Sequence, residues 1–153
     1  MKPEELHRKH LTALIAGTPA DAERIRQWFQ PVDHKTAAEY LRAAVAVCLE
    51  YRFGPGAGLG AGPVDPDEFA AFMAEVRQSG HGTEPPLDHL AIESAVRALY
   101  GEGHLLEPLG EHERTSAHYA LLRKQINAYP WLEDNPDHLI DHARATMTTW
   151  ILG

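Results

Sequence analysis

The chain has 153 residues, 44% of them hydrophobic, with 14 basic and 22 acidic side chains and a formal net charge of -8. That length suits one domain with a real core, and the acidic balance argues against binding to nucleic acid or to an anionic membrane surface. The single cysteine, Cys48, excludes an intrachain disulfide, and the N-terminal residues lack an apolar leader segment, so a cytoplasmic protein is expected.

The apolar residues are mainly Ala and Leu, strong helix formers, while β-branched residues are sparse. The first predicted helix, 3–16, puts Leu11, Leu14 and Ile15 on one side. Thr18-Pro19 predicts the second start, with a capping oxygen before a proline whose missing N–H costs nothing there. Ile25, Trp28, Phe29 and Val32 follow on one face. Residues 34–52 form the third helix. It is apolar over most of its circumference, with Leu41, Ala44, Val45 and Cys48 on one side and Tyr40, Ala43, Val47 and Tyr51 beside them, so it belongs at the centre. Its longest apolar run, 43–49, is far shorter than the ~20 residues that span a bilayer.

Residues 54–63 are rich in Gly and Pro. A helix is excluded there, because each Gly costs ~1 kcal/mol. A P-loop is excluded too, because Pro63-Val64-Asp65 follows where Gly-Lys-Ser/Thr is needed. A flexible connector is expected over 54–64, joining a three-helix part, 1–53, to a four-helix part, 65–153. Asp65-Pro66 opens the fourth helix, with Glu68 at capping-box spacing. Phe69, Phe72, Met73 and Val76 make its stripe, and Gly80 closes it. After a second break at 79–86, residues 87–100 put Leu90, Ala91, Ala95 and Leu99 together. Residues 111–128 align His118, Leu122 and Ile126. Asn135-Pro136 opens the last helix, which carries Ile140, Ala143, Met147, Trp150 and Ile151. The expectation is an all-α fold, a compact array or bundle of six to seven helices in one domain, with helix 34–52 packed against the Phe69/Phe72/Met73 and Met147/Trp150 faces.

Ten histidines carry the main chemical hint. His138 and His142 stand four apart on one helix, a half-site for zinc or nickel. A third ligand must come from elsewhere: His118 first, with His34, His89 and His112 as alternatives. His118 on an inward stripe also reads as a buried hydrogen-bonded residue. No Glu-x-x-His pairs argue for a di-iron site. His89 and Glu93 read as a surface pair or a proton-transfer pair. Glu39 with Arg42, and Glu50 with Arg52, read as surface charges. Cys48 is expected to be buried and inert, and no nucleophile motif occurs. No catalytic residue and no cofactor is therefore assigned.

Large aromatics stand at connectors and near the last residues: Trp28, Tyr129, Trp131 and Trp150. They either cap the core or meet a partner. Three functions follow from these features. The first is a non-catalytic interaction or regulatory protein acting through protein–protein contacts, self-association included. The second is a metal-binding protein or metal-dependent enzyme centred on His138 and His142. The third is a small-molecule binder with a pocket between helices lined by Tyr40, Tyr51, Phe72 and His118.

Overall fold

The computed structural model describes residues 2–79 and 87–152. Those residues form eight α-helices and one 3-10 turn, with no strand among them. They are α1 Pro3–Ala16, α2 Pro19–Arg26, α3 Pro31–Phe53, α4 Pro66–Ser79, α5 His89–Leu99, α6 Glu111–Ala128, α7 Trp131–Asp134 and α8 Pro136–Leu152, with the 3-10 turn at Gly103–Leu106. Seven of the α-helices are those expected, and the single turn α7 is additional. Most of the 79–86 break, including Gly80, lies outside the described residues.

Proline opens five of these helices: Pro3, Pro19, Pro31, Pro66 and Pro136. The capping chemistry differs among them. Asp65 Oδ2 accepts from the Glu68 amide at 2.9 Å, and Asn135 Oδ1 from the His138 amide at 3.4 Å. Thr18 makes no such bond to α2. It closes α1 instead. Gly17 takes a left-handed φ of 73°, its amide donates to Leu14 O, and the Thr18 amide and hydroxyl both donate to Ala13 O. This is a Schellman closure, and it claims the threonine that the sequence assigned to the next helix.

The second helix is shorter than its apolar spacing suggested. It stops at Arg26, because Pro31 begins α3 and Asp33 Oδ2 accepts from the Gln30 amide at 2.8 Å. Trp28 and Val32 are consequently 72% and 67% exposed rather than facing inward. Leu90 is likewise outside, since α5 turns Ala91, Ile92, Ala95, Val96, Ala98 and Leu99 to the core.

Helix α3 is central, as expected. Ten of its residues are buried, and it packs along α8, α6 and α1. Against expectation, α4 meets only its last turn, where Phe53 and Phe72 stack edge-to-face at 5.1 Å and Arg52 grips Glu75. The two parts expected on either side of the connector interleave: α1 and α3 touch both α6 and α8. The connector itself is packed rather than loose. Ala57 is buried, the Gly58 amide donates to Leu99 O at 2.6 Å, and Tyr100 Oη donates to Gly54 O at 3.0 Å. No described helix is long and apolar enough to cross a membrane.

Candidate anion-binding site

Arg42 interrupts the most apolar stretch of α3, between Leu41 and Ala43, both buried. Its guanidinium carbon lies 4.5 Å from the centroid of the Trp150 ring on α8. Trp150 is held from behind by the connector: a Cβ on Gly58 would meet the indole at 2.6 Å, and Gly58 has a φ of 74°. The glycine at 58 is therefore needed both for its backbone conformation and for the seat of the indole. From α6, His118 and Arg114 complete the group. Their charges act on one another: Arg42 and Arg114 both bear on His118, and Arg114 bears on Arg42.

Burial and these two arginines push the His118 imidazole down to about 4, so it is neutral at physiological pH. Burial first, then Arg114, lowers the pKa of Arg42, with Glu39 acting in the opposite direction. Three polar atoms here are buried and without a protein partner: Arg42 Nε, His118 Nε2 and Trp150 Nε1. Such atoms are normally satisfied, because an unpaired buried donor costs about 1–3 kcal/mol. Arg42 is thus no surface charge, contrary to the sequence reading.

The other arginines sharpen the contrast. Arg8, Arg24, Arg26, Arg52, Arg97 and Arg144 each hold a carboxylate. Among the described residues, Arg42, Arg77, Arg114 and Arg123 form no ion pair; Arg114 gives its Nε to Leu109 O at 2.9 Å and Arg123 donates to Ile15 O, whereas Arg42 Nε is buried with no partner. Acid outnumbers base 22 to 14 in this chain, so the unpaired Arg42 does not reflect a shortage of carboxylates.

The residues expected to form sites lie elsewhere. His138 and His142 do stand together, exposed, with ring centroids 4.3 Å apart. His118 is not brought to them, and among the described residues no three His, Cys, Asp or Glu side chains gather in a metal-holding group. Asp137 and Asp141, nearby, are taken by Arg8. The four residues of the expected pocket are dispersed. Tyr40 stacks on His7, Tyr51 on Tyr129 and Trp131, and Phe72 on Phe53, while His118 is buried on α6. Of the aromatics expected at a surface, Trp28 and Trp131 are exposed, Tyr129 is half-buried, and Trp150 is the wall over Arg42. Cys48 is buried with its thiol pushed up to about 12, so it is inert.

A second polar cluster went unread in the sequence. His7 Nε2 lies 3.2 Å from Asp33 Oδ1, and Arg26 Nη1 lies 3.1 Å from His10 Nε2, all around Phe29. Asp33 at the start of α3 binds both His7 and the Gln30 amide, so this cluster ties α1 to α3, while His7 Nδ1 is buried without a partner. The signal for the first site was present: one arginine amid Leu41, Ala43, Ala44 and Val45. No family model matches this chain, and neither a curated protein nor a solved structure matches it.

Proposed function

We propose that the protein is a non-catalytic helical module that binds a small anion between α3, α6 and α8. The observation that carries this is a half-buried arginine, Arg42, laid over the Trp150 indole, with Arg42 Nε, Trp150 Nε1 and the buried His118 Nε2 all without a protein partner. A buried or half-buried charge is ordinarily paired. An anion here supplies the counter-charge, and its oxygens accept from Arg42 Nε and Trp150 Nε1. His118, neutral, contributes a hydrogen bond and no proton.

The test is thermal unfolding in acetate, in inorganic phosphate and in chloride at equal ionic strength. A ligand of the native state stabilises it in proportion to the logarithm of its concentration over Kd. Acetate or phosphate should raise the midpoint by a few degrees over chloride, on the order of 2–4 °C per kcal/mol for a chain of this size. The increment should vanish in Arg42→Met. An equal increment in Arg42→Met would assign it to a general salt effect and end the proposal.

A second reading keeps protein–protein contact. Tyr51, Tyr129 and Trp131 stack on one another, with Tyr51 and Trp131 46% and 53% exposed. Exposed stacked aromatics are the composition of interface anchors. If they carry self-association, light scattering should show a concentration-dependent dimer that Trp131→Ala abolishes; a monomer at every concentration refutes that.

A further inference from the structure

We propose that His138 and His142 on α8 form a surface site for one divalent transition-metal ion of the copper or nickel class, bound through the two imidazoles at a right angle with water in its remaining positions. The site shares no residue with the anion site.

Position argues for it first. Residues four apart on a helix project from one side. Both histidines are exposed, with ring centroids 4.3 Å apart. Among the described residues neither imidazole holds a partner. Asn135 Oδ1 takes the His138 backbone amide, and the Thr146 hydroxyl donates to the His142 carbonyl, so both rings are left over. His7 and His10 differ, since their Nε2 atoms are engaged by Asp33 and Arg26.

Spacing selects the ion. A metal–imidazole bond of about 2.0–2.1 Å puts each ring centroid about 3.2 Å from the ion. Two rings bound at a right angle then have centroids about 4.5 Å apart, and at the tetrahedral angle about 5.2 Å. The observed 4.3 Å fits the right angle. That is the angle of square-planar and octahedral copper and nickel, not of tetrahedral zinc. Copper also binds nitrogen donors most strongly of the divalent series.

The setting is fixed and negative. Leu139, Ile140 and Ala143 of the same turns are buried, and Arg8 of α1 grips Asp137 at 2.9 Å and Asp141 at 2.7 Å. The helix that carries the pair is therefore held in place before any ion arrives, which lowers the ordering cost of binding. Two carboxylates against one guanidinium leave negative charge beside the pair, in a chain that carries -8. With both carboxylates held by Arg8, the two imidazoles are the protein's ligands.

Calorimetric titration of the intact, untagged protein with copper(II), nickel(II) and zinc(II) chloride at neutral pH tests this. Copper should saturate one site per chain, with nickel binding at least as tightly as zinc. His138→Ala and His142→Ala, both at exposed positions, should each weaken copper binding at least tenfold, because a single imidazole loses the benefit of a second ligand held close by. His112→Ala, also exposed, should leave it unchanged. Electron paramagnetic resonance of the copper complex should show two equivalent imidazole nitrogens. Absence of saturation, equal copper affinity in all three variants, or a single coordinating nitrogen overturns the proposal. Zinc binding more tightly than nickel overturns the right-angle assignment.

Discussion

A methyl group at position 58 would lie 2.6 Å from the Trp150 indole, on a backbone with φ of 74°. Both terms oppose it, since the left-handed conformation strains any other residue and the clash moves a packed ring. Gly58→Ala should cost about 1–3 kcal/mol in urea unfolding and weaken anion binding by displacing the wall over Arg42. Unchanged stability would mean the connector gives way freely. Histidine protonation is the other residue-scale test. His10 and His118 sit at about 4 in the folded protein, against an ordinary 6.5, chiefly through burial. The unfolded chain therefore takes up protons first as the pH falls. Stability is full above about 6.5 and declines to about 4, where both states are protonated. At ~1.4 kcal/mol per unit, the full loss is on the order of 3–4 kcal/mol for each histidine. His118→Gln should flatten this decline by roughly half, measured as urea unfolding across that range; an unaltered decline would show that His118 does not titrate on unfolding. The inward place of His118 was legible, because it shares a helical stripe with Leu122 and Ile126. Arg42 was not, because an Arg three positions after Glu39 looks like an ordinary surface pair until a distant tryptophan is laid over it.

Helix ends were the most legible features, and their exceptions are instructive. Proline at the first turn identifies α2, α4 and α8 from sequence, and the same signal at Pro31 was masked by the apolar spacing of Trp28, Phe29 and Val32. Which side chain caps is a matter of competition. Asp88 Oδ1 accepts from the Ala91 amide at 3.0 Å, and Asp65 caps Glu68, whereas Thr18 is drawn back onto α1. Asp65→Ala and Asp88→Ala should each cost about 1 kcal/mol. Thr18→Ala should cost only a few tenths of a kcal/mol, because its backbone amide still closes α1. A cost for Thr18→Ala equal to the other two, by thermal or urea unfolding, would contradict this division. The one-turn α7 had no periodicity to read; two turns of apolar spacing are needed before a stripe can be told from chance.

Across the whole molecule, the parts on either side of the connector interleave, since α3 packs against α6 and α8 from beyond it. Composition predicts that residues 54–63 cannot be helix, and that holds. It cannot show that Gly58 meets Leu99 on α5 and Trp150 on α8, because those contacts join residues forty and more positions apart. Unfolding in urea should therefore be one transition, with tryptophan fluorescence and far-ultraviolet circular dichroism coinciding. Two separated transitions would mean that the halves are independent after all. The anion site belongs to this scale too, assembled from α3, α6, α8 and the connector, which is why no local motif announced it. Side-chain nitrogen NMR during an acetate titration tests it most directly. The account predicts that the Arg42 Nε–H and Trp150 Nε1–H resonances move together along one saturable curve while the Trp28 and Trp131 indoles stay in place. Stationary Arg42 and Trp150 signals in the folded protein, or equal drift of all three indoles, would contradict it.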